Sequence, residues 1–207
     1  DHCARRWSWG GPPAEVDVYS IGLVDAKMGR ALKQFDDELA EQVHEEGCPC
    51  SGPLHHADYP RKPRGTLPEA EGLFAKRTSF CCGQEGCRHR RTPQSTRFLG
   101  RKVYVGAVVL LVTVLRHGPN RERMERLRVI FGMCARTVAN WRRWWKDTFV
   151  GTAFWRGARG RFVPPVSTED LPASLLERFQ GDETTRLCAV LRFVAPVTTS
   201  SCDAIAA

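Results

Sequence analysis

Five of the nine cysteines fall into two groups: Cys48 and Cys50 in "CPCSG", and Cys81, Cys82 and Cys87 in "FCCGQEGCRHRR". Two cysteine-bearing turns, brought together by a small sheet, would supply the four soft ligands of a tetrahedral zinc site. Glycine, which tight turns require, sits in both loops, and proline in the first. Thiolate coordination would also add folding free energy to a stretch that is poor in apolar residues. The expected quartet is Cys48, Cys50, Cys82 and Cys87, with Zn2+ as the cofactor. The spacing departs from a C-x-x-C knuckle, because the first pair is one residue short and four residues separate Cys82 from Cys87. His44, His55, His56 or His89 would be substitutes for one ligand, and a lapsed site holding plain thiols stays open as an alternative. A redox role for the neighbours Cys81 and Cys82 is disfavoured by the strain of such a disulfide. Cys3, Cys134, Cys188 and Cys202 stand alone in the sequence and read as small buried hydrophobes.

A second chemistry is written in "LRVIFGMCARTVANWRRWW", from Leu127 to Trp145. A helix-turn-helix needs apolar residues where its helices cross and a residue tolerant of left-handed backbone in the turn. With Gly132 as that residue, Leu127 and Phe131 supply the inner face of the first helix. Met133 lies in the turn, and Val138 and Trp141 supply the inner face of the second helix. Arg128 stands where a small residue usually lets the helices approach, so either its side chain snorkels outward or the crossing is wider than usual. This register leaves Cys134, Ala135, Arg136, Thr137, Ala139, Asn140 and Arg143 for the groove-facing side. Arginine pairs with guanine O6/N7 and asparagine with adenine N6/N7. Arg142 and Lys146 suit phosphates. Trp141, with Trp144 or Trp145, should pack against the first helix. An ordinary amphipathic helix pair with a solvated basic face is the plainer alternative.

Together, "CPC…FCCGQEGCRHRRTPQSTRFLGRKVY" and the helix pair resemble the N-terminal DNA-binding regions of bacterial insertion-sequence transposases. In those proteins a zinc ribbon precedes a helix-turn-helix. The resemblance covers roughly residues 45–150. It implies binding to element-end DNA, or a stand-alone regulator derived from such a protein.

The elements that must position these residues follow from pattern and charge. Residues 48–161 carry 23 Lys/Arg against 7 Asp/Glu, whereas residues 1–47 carry 5 against 10 and residues 162–207 carry 3 against 6. A basic middle between acidic flanks points to a polyanion, double-stranded DNA, as the partner of the middle alone. The hydrophobic fraction of 42% is enough for a buried core. Leu32, Phe35, Leu39 and Val43 repeat at helical spacing, so an amphipathic helix should run from Ala31 to Glu46 and end at Gly47. Short pieces around "LHHADY" and "GLFAKRTSFCC" suit strands. Val103 to Leu115 reads as a buried helix, too short for a membrane span. Helices should follow up to about Phe131 and from about Ala135 to Asp147. "RGARGRFVPPV" reads as a basic linker, and "LPASLLERF" and "TTRLCAVLRFV" as short helices before a frayed end.

The expected fold is mainly α with a small β zinc-ribbon-like segment and a helix-turn-helix domain. Its parts are an acidic N-terminal extension with an amphipathic helix (1–47), the ribbon-like segment (48–100), the helix-turn-helix domain (101–150), and the linker with C-terminal helices (151–207). Residues 1–27 read as an upstream extension, since Met28 opens a coherent stretch. The opening residues lack the apolar core of a signal peptide. A reducing cytoplasm, with association to the nucleoid, is the expected setting, and there clustered cysteines bind metal.

Transposases of this kind cut DNA with three carboxylates on a metal-holding core, which needs upwards of about 100 residues. No such core is visible after Pro165, nor a phosphate-binding glycine loop or nucleophile elbow. The chain therefore reads as non-catalytic by itself. A separately encoded catalytic transposase subunit and a homodimer stay open as partners. A protein-interaction or transcription-regulatory zinc-ribbon module is the main alternative, and a small nuclease using His89 or His117 the lesser one.

Overall fold

The computed structural model of the chain describes residues 26–199 apart from 63, 67, 100–103, 105, 107 and 110–119. The expected helix over Val103–Leu115 lies largely outside the described residues, as do residues 1–25 with Cys3, His117, and residues 200–207 with Cys202.

Helix α1 spans Ala26–Glu46 and ends at Gly47, as the pattern predicts. It starts five residues earlier than expected, and its buried stripe is displaced. Met28, Leu32, Asp36 and Ala40 point inward, while Phe35, Leu39 and Val43 are only half-buried. The displacement has a physical cause: Asp36 is taken inside because donors meet it there. Its carboxylate accepts from Ser95 Oγ at 2.5 Å, Thr96 N at 2.6 Å, Thr96 Oγ1 at 2.8 Å and Arg97 Nε at 2.8 Å. A buried charge is tolerable only when paired and fully hydrogen-bonded. Gly29 lets a 3-10 turn over Pro68–Phe74 approach α1, since a Cβ there would stand 2.9 Å from Leu73 Cδ1.

Strands β1 (Leu54–His56), β4 (Phe80–Cys82) and β5 (Arg90–Arg91) form an antiparallel sheet in the order β1-β4-β5. The register pairs Leu54 with Cys82, His55 with Cys81 and His56 with Phe80. Alternation then separates the faces: Leu54, Phe80 and Cys82 are buried, and His55 and Cys81 lie on the other side. A second, two-stranded piece pairs β2 (Tyr59–Pro60) with β3 (Lys76–Arg77). Ala40, Cys48, Leu54, Phe80 and Cys82, with Val43 and Cys87 against them, make a small core under this region.

The larger core is helical. Helix α2 (Arg121–Phe131) and helix α3 (Ala135–Arg143) are joined by residues 132–134. Gly132 adopts φ +63, which costs a glycine nothing. Beyond Arg143 the helix continues as a π segment, Trp144–Phe149. Trp141, Trp145 and Phe149 stand four residues apart and are all buried. In a pure α-helix each four-residue step overshoots a turn by about 40°. A wider π turn undershoots instead, so the mixture holds the three rings on one side. Trp145 packs on Phe149 at 4.9 Å, and Phe149 on Trp155 at 5.0 Å.

The segment expected as a linker is folded. Helix α4 (Ala153–Ala158) and a 3-10 turn over Arg159–Arg161 bring Trp155 into the core, and Phe162 lies 5.3 Å from Phe193. The glycines and arginines of this stretch conceal two anchoring aromatics. Helices α5 (Ala173–Leu176) and α6 (Glu183–Val194) complete the described chain. Leu187, Val190, Leu191 and Val194 of α6 join the same core as Met28 and Leu32 of α1. Arg192 lies over Phe35 at 4.0 Å. The described residues are therefore mainly helical, with a small three-stranded sheet, a two-stranded one and a cysteine cluster.

Candidate metal centre and the basic helix

Cys48 directly follows the glycine that ends α1, and Cys50 sits on the next turn, closed by Ser51 N donating to Cys48 O at 2.8 Å. Cys82 ends β4, and Cys87 closes a turn by donating from N to Gln84 O at 3.1 Å. Pairing of β1 with β4 brings the two turns together. The four sulfurs lie within 4.8 Å of one another. Cys50 Sγ is 3.4 Å from both Cys48 and Cys82, and Cys48 Sγ is 3.7 Å from Cys87. These separations exceed the roughly 2.05 Å of a disulfide, and all four thiols are free. A tetrahedron with metal–sulfur bonds of about 2.3 Å has edges of about 3.8 Å. The donor set and its spacing therefore fit a four-coordinate thiophilic metal ion.

The surrounding backbone is aimed at the sulfurs. Gly52 N donates to Cys50 Sγ and Gln84 N to Cys82 Sγ, each at 3.4 Å. Ser51 and Arg88, the residues after Cys50 and Cys87, adopt φ +61 and +48. Left-handed non-glycine residues are costly and collect at ligand-holding turns. The reversal at Ser51 accommodates the short C-P-C spacing. The Gly52 amide, with hydrogen bonds from the neighbouring thiols, lowers the Cys50 thiol to about 7. Burial pushes Cys82 up to about 12. At Cys87 the His89 amide favours the thiolate, but its bond with Cys50 and burial outweigh it and raise the thiol.

None of the candidate substitute histidines, His44, His55, His56 or His89, joins the four-sulfur group. His44 Nε2 is 3.2 Å from Leu54 O, and its ring packs on Phe80 at 5.2 Å. His56 faces Asp58 with 3.6 Å between Nδ1 and Oδ1. Both rings line an open groove of about 550 Å³ between α1 and the strands. Cys81 points away from the quartet, and its thiol donates toward Arg88 O at 3.7 Å. Among the described residues the only group with metal-ligand spacing is the four cysteines.

In the helix pair, Leu127, Phe131, Met133, Val138 and Trp141 are all buried. Trp145 is buried and Trp144 half-buried. Arg128 reaches outward, with Nη2 and Nε at 2.5 and 3.0 Å from the carboxylate of Glu125. Arg136, Asn140, Arg143 and Lys146 are exposed, whereas Thr137 and Arg142 are half-buried. Cys134 is the N-cap of α3, with its sulfur 3.4 Å from Thr137 Oγ1. Cys188 is half-buried on α6, where burial raises its thiol.

Sequence reasoning missed the buried polar joint of Asp36, Ser95, Thr96 and Arg97. The only local signal is an acid within the helical stripe, and its partners are about sixty residues away. Arg77 is also buried, donating to Pro93 O and Gln94 O. No helix among the described residues is long and apolar enough to cross a membrane. Comparison with protein-family models, curated proteins and solved structures finds no match for this chain.

Proposed function

We propose that this chain is a sequence-selective DNA-binding protein whose cysteine turns hold one Zn2+ and whose α2–α3 pair acts as a helix-turn-helix. One observation carries the reading. Arg136, Asn140 and Arg143 form an exposed stripe on α3, opposite the buried Val138 and Trp141, and none of the three has a side-chain partner among the described residues. On α2, by contrast, Arg126 and Arg128 are each tied to a glutamate, at 2.5 Å. Charges without internal partners are available to an external polyanion. Arg136 and Asn140 are the base-reading candidates, with Thr137 beside them. Arg143 shares the groove-facing stripe, and Arg142 and Lys146 are the phosphate candidates. Zinc would fix the cysteine turns, and with them the C-terminal end of α1, without taking part in chemistry.

The resemblance to transposase N-terminal regions makes element-end or operator DNA the proposed target. Strand cleavage would belong to a separately encoded subunit. A nucleoid location would follow.

Selection from a randomised duplex pool tests the reading. A preferred site should emerge, retention should persist with magnesium chelated, and the DNA should stay uncut. Arg136→Ala or Asn140→Ala should each cost roughly 1–3 kcal/mol on that site. Arg142→Ala should weaken all sequences alike. Affinity should fall with salt at a log–log slope of about −0.9 per phosphate contact. Failure to retain any duplex would overturn the proposal in favour of a protein-interaction module, and cleavage would point to a nuclease. Metal analysis of the purified protein should find close to one zinc per chain.

A further inference from the structure

The unpaired stripe of α3 does not stop at Arg143. Positions 136, 140 and 143 are spaced by four and three residues, which keeps them on one helical face, and 147 follows four residues later on the exposed side of the π segment. The buried residues Val138, Trp141, Trp145 and Phe149 hold the other face. The fourth member of the outer stripe is Asp147, on the π segment and exposed. It stands apart from its surroundings. Residues 126–168 contain nine Lys/Arg and one carboxylate, that of Asp147. Arg143 lies one turn before it and Lys146 beside it, yet Asp147 forms no ion pair or side-chain hydrogen bond among the described residues. On α1 and α2 the same i,i+4 spacing yields closed pairs, Lys33–Asp37 and Glu122–Arg126.

An ionised carboxylate only accepts hydrogen bonds. Facing DNA, it is repelled by every phosphate. It is stabilised only where the duplex offers a donor, and in the major groove a donor suited to a carboxylate is the N4 amino group of cytosine. We infer that Asp147 is a specificity-determining residue of the α3 face, one that weakens binding to all DNA and restores it where cytosine meets the carboxylate. This rests on the proposed reading of α3 as the DNA-facing helix. It adds a discriminating element of the kind that separates correct from incorrect partners by penalising the latter.

Two variants, Asp147→Ala and Asp147→Asn, test it beside Arg136→Ala and Arg143→Ala. Each full-length protein is first checked for an unchanged melting curve and zinc content. The probes are the selected duplex, single-base variants of it, and a random-sequence duplex. Asp147→Ala should bind the random duplex more tightly and lose about 5- to 150-fold of discrimination at one base pair, the equivalent of one base contact. Asp147→Asn should also bind the random duplex more tightly, but should keep part of that discrimination, because the amide oxygen still accepts. If Arg136→Ala and Arg143→Ala weaken binding while Asp147→Ala changes neither quantity, Asp147 is merely solvated; the inference falls and the reading of α3 stands. If Asp147→Ala tightens random binding but leaves every base preference intact, its role is charge alone and the base-reading claim is overturned. If all three alanine variants bind as the parent does, α3 does not face DNA and both fall.

Discussion

The cysteine-bearing region and the helical body solve the same problem by different means. Around the small sheet the buried apolar side chains are few: Ala40, Leu54 and Phe80, with two of the cysteines. The strands are two or three residues long. The helical body buries Trp141, Trp145, Phe149 and Trp155 together with the aliphatic residues of α6. Apolar burial stabilises in proportion to area, so the second region has its own driving force and the first does not. Four converging thiols are what the first region has in its place. One region is equipped for coordination by its thiols, and the other is held by packing.

The largest expected effect comes from metal removal, since structural zinc contributes about 10–16 kcal/mol in small metal-dependent folds. Chelation should abolish hydrogen-exchange protection around β1, β4 and β5 while the amides of α3 and α6 keep theirs. Simultaneous loss in both regions would break the comparison. Next, Trp145→Ala should destabilise the body by roughly 3–5 kcal/mol in urea unfolding, as large-to-small core changes do. Zinc content should stay at one equivalent.

The joint between the regions gives a third test. Asp36→Ala leaves Arg97 buried without its partner, a change that typically costs about 3–5 kcal/mol. Because α1 serves both cores, exchange should accelerate in both regions at once, unlike in the first two experiments.

The smallest effect concerns α6 alone. Asp182 caps this helix by accepting from Thr185 N at 2.7 Å, and the Thr185 amide and hydroxyl hold its carboxyl below the usual range. A depressed folded value means that the contribution is complete above the unfolded value of about 3.9 and is lost as pH falls through the folded one. Asp182→Ala should therefore speed exchange of the first α6 amides at neutral pH. The difference from the parent should close in strong acid.

What the sequence shows and hides follows from distance along the chain. The limits of α2 and α3 are set by local periodicity and by Gly132, and these are legible within twenty residues. The cysteine quartet is legible because soft ligands in two clusters have few alternatives. The inward turn of Asp36 is not, because its donors at Ser95–Arg97 are remote and the acid itself argues for solvent. Nor is the folding of residues 153–163, where composition suggests a linker and only Trp155 and Phe162 indicate otherwise. The π segment escapes detection because it follows from keeping three rings in line rather than from any residue's own preference.

Helix α1 walls both cores: Met28 and Leu32 lie in one, Ala40 and Val43 in the other. Its consequence is indivisibility. A fragment beginning at Cys48 would bare Phe74 and Phe80 at once, and a fragment ending at Thr92 would strand Met28 and Leu32 in water. The four-cysteine unit cannot be transplanted as a cassette. Any recombination that moved it between proteins would have to carry α1 along, together with a host able to cover the front half of that helix.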